Sequence, residues 1–181
     1  MWLTTWCKRA AVSPERVTVG ARHQVSLVCV SGTQLLQTRH MDIQRVAVVG
    51  AGGVRGFFAA HLSGTHHAVT ACVRRPFDRW RIESDESPFE GPATAVTNPS
   101  ALSGQPFDWV LVGVKAHQTT GAAEWFERTC GPDTVVVALQ NGIEAIERLA
   151  PLVRGALVLD PVVYCGTELI APGHILHDTK G

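Results

Sequence analysis

The 181-residue sequence lacks both an excess of charge and a long apolar run. Lysine plus arginine and aspartate plus glutamate each count 16, so the formal net charge at pH 7 is zero. A neutral chain does not have the broad positive surface with which proteins bind nucleic acids or anionic membranes. No apolar stretch approaches the roughly 20 residues that a helix needs to span a bilayer. We therefore expect a small-molecule ligand, with no nucleic acid and no membrane as partner.

Paired cysteines are also missing. The five cysteines are odd in number and include no C-x-x-C pair, so neither a disulfide framework nor a zinc site is indicated; they are Cys7, Cys29, Cys72, Cys130 and Cys165. The pairs His66-His67 and His174-x-x-His177 have no thiol or carboxylate cluster beside them, so we predict no metal site. Free thiols fit a reducing compartment, and we expect a cytoplasmic protein.

What the sequence does contain is a glycine-rich turn between an apolar strand and a helix. Val46 to Val49 form a short β-branched run, typical of a strand buried on both faces of a parallel sheet. The turn GAGGVRG follows, and helical spacing of apolar residues continues to a stop at Ser63-Gly64, before a second predicted strand at Ala68 to Val73. This βαβ order predicts a dinucleotide site, in which Gly50 permits a tight turn and Gly52 lets a pyrophosphate approach the backbone.

The glycine pattern departs from G-x-G-x-x-G at one position. Arg55 stands where the third glycine is expected, and the glycine comes one residue later as Gly56. The third glycine normally permits close packing of the helix on the sheet, so the sequence leaves the packing at Arg55 open. The Arg55 side chain can either reach a phosphate or point to solvent. On the glycines alone, an ordinary strand-to-helix turn is the alternative.

The end of the second strand predicts the choice of cofactor. Arg74 and Arg75 follow Val73, where an NAD enzyme carries an acidic residue for the ribose 2′-hydroxyl and an NADP enzyme an arginine for the 2′-phosphate. A guanidinium binds phosphate through bidentate, charge-assisted hydrogen bonds. We therefore predict NADP (NADPH) as the cofactor; the alternative is that the two arginines only solvate a loop.

Strand and helix patterns alternate through the rest of the chain. Buried strands are predicted at 107–114 and 134–139, helices at 118–129 and 143–149, later strands at 157–164 and 174–177, and short strands or irregular connections at 76–104. In the second helix, Ile143, Ile146 and Leu149 are expected on one stripe. The alternation predicts an α/β fold with a doubly wound, mostly parallel sheet and right-handed crossovers, a Rossmann-like domain over residues 41–181.

The first 40 residues carry no clear domain pattern. They hold five basic residues and one acidic residue, Glu15, but not the helical amphipathicity of a transit peptide. Met41 lies a few residues before the first strand, as the start residues of dinucleotide-binding chains often do. We therefore expect residues 1–40 to be either a disordered leader or a start-site artefact.

Three further segments, taken with the glycine turn, resemble one family. VLVGVKAHQT contains Lys115, VVVALQNGIEAIERL contains Gln140 and Asn141, and GTELIAPGHILHDTKG ends the chain. In this order they are similar to the N-terminal domain of ketopantoate reductase (2-dehydropantoate 2-reductase). The resemblance runs from about Val46 to the C-terminus.

The resemblance implies an NADPH-dependent reduction of a 2-oxoacid, with 2-dehydropantoate to pantoate, on the route to pantothenate and coenzyme A, as the favoured reaction. Lys115 and Asn141 would face the nicotinamide and the substrate, where an ammonium and an amide can donate hydrogen bonds to developing negative charge. The implied cofactor-binding residues are Gly50, Ala51, Gly52, Gly53, Val54, Gly56, Arg74, Lys115 and Asn141.

The family's general-acid lysine has no counterpart in the sequence. That lysine belongs to the family's C-terminal helical domain, which we expect to be absent here, and Lys180 comes too early in the family order. Three interpretations stay open: the cofactor-binding half of a reductase, a non-catalytic NADP-binding module, and a truncated inactive fragment. A homodimer and a separate helical domain are both open as partners.

Overall fold

The computed structural model describes residues 43–140 and 144–178, together with the backbone of residues 17–19 and 23–25. The chain divides into two compact units, Met1–Asp42 and Ile43–Gly181. In the first unit, β1 (Val17–Val19) and β2 (His23–Val25) form an antiparallel pair. The domain boundary at residue 41 that we expect from the sequence stays a prediction.

The second unit alternates strands and helices. Its strands in the described residues are β3 (Arg45–Val49), β4 (Ala68–Cys72), β5 (Arg79–Glu83), β6 (Phe89–Pro92), β7 (Thr94–Val96), β8 (Trp109–Val112), β9 (Val135–Ala138), β10 (Leu157–Leu159), β11 (Thr167–Ala171) and β12 (His174–His177). Its α-helices are α1 (Gly53–Ser63), α2 (Ala123–Thr129) and α3 (Ala145–Leu149). Among the helices that the structure describes, none has both the length and the apolar character to cross a membrane.

Six of the strands form a parallel sheet in the order β10-β9-β8-β3-β4-β7. From β3 the chain builds outward through β4 on one side and through β8 on the other, so the strand order reverses between β3 and β8. In open parallel sheets such a reversal leaves a crevice at the carboxyl ends of the strands. The predicted doubly wound, Rossmann-like α/β fold is confirmed.

Each face of the parallel sheet is covered by its own core. Because neighbouring residues of a strand point to opposite faces, Val46 and Val48 of β3 join one core, and Ala47 and Val49 join the other. Phe126 of α2 and Leu149 of α3 complete the second of these cores. Burial on both faces is why β3 is a continuous apolar run and not an alternating one.

A second, four-stranded sheet lies on the other side of α1, in the order β11-β12-β5-β6. Helix α1 packs between the two sheets, and Gly56 faces the second one: a Cβ there would lie 2.8 Å from Ile175 Cδ1 and 3.5 Å from the Trp80 ring. Trp80 and Ile175 are fully buried. Gly56 therefore gives α1 close packing, and that packing is on the second sheet.

Two predicted helices differ from the structure. The helix expected at 118–129 begins at Ala123, after 3-10 turns at Ala116–Gln118 and Thr120–Ala122. The Thr119 hydroxyl donates to the Ala116 carbonyl at 2.9 Å, a local bond that competes with a continuous helix.

The stripe predicted for the next helix is wrong in part. Leu149 is buried, but Ile146 is 48% exposed and the second buried residue of α3 is Ala145. Ile143 lies outside the described residues.

The strand predicted at 157–164 is shorter in the structure. It ends at Leu159, because Pro161 has no N–H to donate to a strand ladder.

The contact between α1 and the second sheet predicts a dependence of stability on pH. His61 of α1 lies against Phe57 and Phe89, with ring centroids at 4.5 and 5.7 Å, and its Nε2 is buried without a hydrogen-bond partner among the described residues. Burial, and then the nearby His177, lower the pKa of His61. As pH falls below about 6.5, the unfolded chain binds the proton before the folded chain does, so stability decreases.

Urea unfolding at pH 7.5 and 5.5 checks this. We expect a lower midpoint at pH 5.5, and a smaller decrease in His61→Gln. The exposed His117 supplies a control, since His117→Gln should retain the wild-type decrease. An unchanged decrease in His61→Gln would remove His61 from the explanation.

Candidate functional site

A cleft of about 860 Å³ opens at the carboxyl ends of β3, β4 and β8. Its walls are the glycine turn after β3, the end of β4, the loop after β8, and the turn between β11 and β12. This is the crevice that the reversal of strand order creates between β3 and β8. The second sheet contributes residues 169–172 to the wall, a contribution that the sequence did not suggest.

Gly50 and Gly52 have different roles in the glycine turn. Gly50 has φ +87°, and a Cβ there would lie 2.9 Å from the Val114 backbone nitrogen. A glycine is therefore needed at position 50 for two reasons: the backbone is left-handed there, and it lies too close to the Val114 backbone for a side chain. At Gly52, a Cβ would meet nothing within 4 Å, so this glycine borders open space in the cleft. That space is where a side chain would exclude a pyrophosphate.

The first turn of α1 is suited to an anion. The N-cap residue Gly52 provides no side-chain hydrogen bond to the helix, and no acidic residue lies in the first turn. Unpaired N–H groups and the positive end of the helix dipole are therefore available to a phosphate. The turn fits the pyrophosphate of a dinucleotide.

The structure separates the predicted glycine-turn residues into two groups. Gly50, Ala51, Gly52 and Gly53 line the cleft, whereas Val54 and Gly56 do not. Gly53 also lies against β11, because a Cβ there would be 2.8 Å from the Thr167 Oγ1 atom. Thr167 therefore positions the start of α1, a role with no local signal in the sequence.

Four cationic side chains and no carboxylate stand among the described residues that line the cleft. Arg74 and Arg75, just beyond β4, and Lys115, just beyond β8, are exposed and border the cleft, together with Arg55. None of the lining residues is aspartate or glutamate. Although the whole chain is neutral, the cleft therefore concentrates positive charge, as a ligand with several phosphates requires. Arg74, which the sequence predicts for the 2′-phosphate, and its neighbour Arg75 both border the cleft.

Gln140 holds the loop that carries Lys115. The Gln140 side chain is buried, and its Nε2 donates to the Val114 carbonyl and to Thr119 Oγ1, each at 2.8 Å. These bonds connect the end of β9 with the loop after β8. Gln140 belongs to a segment that the sequence analysis singled out, but no role was predicted for it. The signal that could have indicated a role is an amide side chain directly after a buried strand. Asn141, which follows, lies outside the described residues.

Arg55 neither points to solvent nor disrupts the packing of α1. Its side chain is half-buried, and Nη2 donates to the Leu139 carbonyl at the end of β9. The space for this side chain exists because residue 113 is glycine: a Cβ there would lie 2.5 Å from Arg55 Cγ and would overlap the Gly50 carbonyl oxygen. The sequence did not predict a role for Gly113, although a glycine in an apolar strand often marks a close backbone approach.

The Cys72 thiol, which lines the cleft, and the histidines of β12 are not placed for nucleophilic or metal chemistry. Burial raises the pKa of the Cys72 thiol to about 12, so it is protonated at neutral pH. His174 Nε2 lies 2.9 Å from Glu83 Oε1, and His177 Nδ1 lies 3.1 Å from Ser84 Oγ. Within the described ranges, no group of three or more histidine, cysteine, aspartate or glutamate side chains is placed to hold a metal ion.

Comparison with known proteins decides the family. The family model described as "Ketopantoate reductase PanE/ApbA" matches residues 46–181. The chain belongs to the ketopantoate reductase family. Ketopantoate reductases use NADPH, which their N-terminal Rossmann-like domain binds, so the match also supports the cofactor expected from the sequence.

Individual relatives agree with this assignment. A 2-dehydropantoate 2-reductase from Caulobacter vibrioides is 34% identical over 137 residues, which are 75% of this chain and 47% of the relative. The crystal structure of a PanE/ApbA family ketopantoate reductase from Ralstonia eutropha is 31% identical, with a TM-score of 0.63 over 76% of this chain and 47% of that one. A 2-dehydropantoate 2-reductase structure from Geobacter metallireducens is 26% identical, with a TM-score of 0.66 over 74% and 46%. The chain thus spans about half the length of the relatives it matches.

The close backbone approach at Gly113 yields a stability prediction. Gly113→Ala should destabilise the fold by about 1–3 kcal/mol, because the added methyl overlaps the Gly50 carbonyl and cannot move away from it. Gly121→Ala is the matched control, since a Cβ at Gly121 meets nothing within 4 Å and should change stability by less than about 0.5 kcal/mol. Urea unfolding measures both. Equal stability of the two variants would contradict the proposed close approach.

Proposed function

We propose that this chain supplies the cofactor-binding half of an NADPH-dependent 2-oxoacid reductase, with 2-dehydropantoate as substrate and pantoate as product. The observation that carries the proposal is the cleft at the reversal of strand order, which combines an open glycine turn with four cations and no carboxylate. NADPH carries a pyrophosphate and a 2′-phosphate, and the cleft offers positive groups to both. We assign this function to residues 41–181.

Strand order gives the direction in which the cofactor would lie. Arg74 and Arg75 follow β4 on one side of β3, and the loop with Lys115 follows β8 on the other side. A dinucleotide with its pyrophosphate over Gly52 and its 2′-phosphate at Arg74 must extend its nicotinamide half toward β8 and β9. Lys115 borders that half of the cleft.

Bound NADPH would supply a hydride to the keto carbon of the substrate, and the resulting alkoxide would take its proton from the general acid of a helical domain or from water. In the proposed reaction, the Lys115 ammonium and the Asn141 amide donate hydrogen bonds on the nicotinamide side, to the cofactor or to the keto oxygen as its negative charge grows. Gln140 keeps the Lys115 loop against the end of β9 through its two 2.8 Å hydrogen bonds. The small-molecule partner is therefore an anionic 2-oxoacid. A second copy of the chain or a separate helical domain would be the protein partner.

Fluorescence titration with NADPH and with NADH tests the proposal, together with an assay of NADPH oxidation in the presence of 2-dehydropantoate. We expect saturable binding with a clear preference for NADPH. Sustained oxidation above the rate without protein would extend the proposal to the full reaction, and binding without oxidation would limit this chain to the cofactor-binding half. Absence of NADPH binding would contradict the proposal.

Arg74→Ala tests the 2′-phosphate site. Because a charge-assisted bond to phosphate is lost, NADPH binding should weaken by about 1.5–3 kcal/mol, whereas NADH, which lacks that phosphate, should be little affected. Arg128→Ala removes an exposed arginine of α2, outside the cleft, and should leave both affinities unchanged. Titrations with both nucleotides provide the comparison; equal losses for NADPH and NADH would refute the role of Arg74.

Gly52→Val tests the pyrophosphate site. The valine side chain would project into the open space beside the glycine turn, so binding of NADPH and NADH should both be lost. Gly52 has φ −79°, which valine adopts, so the unfolding midpoint should fall by no more than the equivalent of about 1 kcal/mol. Binding that survives in a folded Gly52→Val variant would place the phosphates elsewhere.

A further inference from the structure

We infer that Arg55 makes the cleft discriminate between the two redox states of the cofactor, because it places an unpaired positive charge in the half that receives the nicotinamide. Arg55 then favours the neutral reduced ring of NADPH over the positively charged ring of NADP⁺. The inference rests on the proposed function.

The position of the side chain is the first step. From the first turn of α1, Arg55 passes over Gly113 at the end of β8, and its Nη2 donates to the Leu139 carbonyl at the end of β9. Arg74 and Arg75 lie at the end of β4, on the opposite side of β3. The guanidinium of Arg55 therefore lies in the half of the cleft away from the predicted 2′-phosphate site.

The charge of Arg55 is not neutralised by its surroundings. Within the described part of the chain, Arg55 forms no ion pair, and the group that accepts its hydrogen bond is a neutral carbonyl. Its Nε is buried and has no hydrogen-bond partner there. The undescribed residues 141–143 are Asn, Gly and Ile, which carry no charge. Burial lowers the pKa of Arg55, but an arginine still keeps its proton at neutral pH.

The charge on the ring is the second step. Oxidation of the nicotinamide adds one positive charge, while the pyrophosphate and the 2′-phosphate stay the same. A second cation in a partly desolvated cleft repels the oxidised ring and leaves the reduced ring nearly unaffected. The phosphates, which contribute to both forms equally, cannot produce this difference. Arg55 should change the ratio of the two dissociation constants by ~10-fold, which corresponds to about 1.4 kcal/mol.

The role of Arg55 also explains why an arginine stands at the third glycine position of the G-x-G-x-x-G pattern. A glycine at residue 55 would place no charge in the nicotinamide half, and Gly113 gives the room that a larger residue at 55 needs. Arg55 and Gly113 therefore depend on each other. The motif glycine at position 55 is replaced by an arginine that places a cation in the cleft, and the glycine at position 113 leaves room for its side chain.

The experiment compares dissociation constants for NADPH, from its fluorescence, and for NADP⁺, from competition with NADPH, in the full 181-residue chain at pH 7. Arg55→Met keeps the aliphatic part that packs over Gly113 and removes the charge, so NADP⁺ should bind more tightly and the ratio of NADP⁺ to NADPH dissociation constants should fall ~10-fold. Arg55→Lys keeps the charge and should retain most of the ratio. Arg74→Met removes a charge at the other end of the cleft, so it should weaken both forms and leave the ratio unchanged.

Each other outcome is informative. Equal weakening of both forms in Arg55→Met would assign Arg55 to a phosphate and overturn the inference, and so would unchanged constants. If Arg55→Met does not fold, Arg55→Gly, which restores the glycine of the motif, is measured in its place with the same expected change in ratio. Wild-type chain that binds neither nucleotide would contradict the proposed function itself, whereas NADPH binding with a ratio insensitive to Arg55 would contradict only the inference.

Discussion

The close approach of the backbone after β3 to the backbone after β8 is the constraint on which the cleft depends. The Gly113 N–H donates to the Val49 carbonyl at 2.7 Å, and the Gly50 N–H donates to the Cys72 carbonyl at 3.0 Å, so three neighbouring strand ends are joined at one edge. A Cβ at Gly50 or at Gly113 would collide with backbone atoms of the other segment. Two residues without side chains therefore bring the start of α1 to the sheet edge, and the open turn at Gly52 follows from that placement.

The second sheet holds α1 and its glycine turn in position, although the cations of the cleft repel one another. Arg55, Arg74, Arg75 and Lys115 share one cleft, with no carboxylate among its described lining residues, so these cations repel one another, and an anionic ligand would relieve that repulsion. On its far side, α1 packs at Gly56 against Ile175, and at its start Gly53 packs against Thr167. The strands β5, β6, β11 and β12 thus do more than extend the fold, because they support the helix that presents the glycine turn.

Local patterns in the sequence predicted five of the six strands of the parallel sheet, all except β7, but not the pairing of the second sheet. Val46 to Val49 is apolar because both faces of β3 are buried, and such a run can be recognised without knowing its partners. By contrast, β5 pairs with β12, nearly a hundred residues later, and no local periodicity reports a pairing over that distance. Distance in the sequence also explains which parts of the site could be predicted. Gly50, Gly52 and Arg74 lie in one βαβ unit and were predicted, whereas the space that Gly113 makes for Arg55, and the bond from Arg55 to Leu139, join segments that are distant in sequence.

The central claim is that a phosphate-bearing dinucleotide lies across the carboxyl ends of β4, β3 and β8. Amide hydrogen exchange with and without saturating NADPH tests it most directly, because bound phosphates accept hydrogen bonds from backbone N–H groups and slow their exchange. The account predicts protection in residues 50–56, 73–75 and 113–118, and little change in α3 or β10. Protection confined to other segments, or none at a nucleotide concentration that saturates binding, would contradict the account.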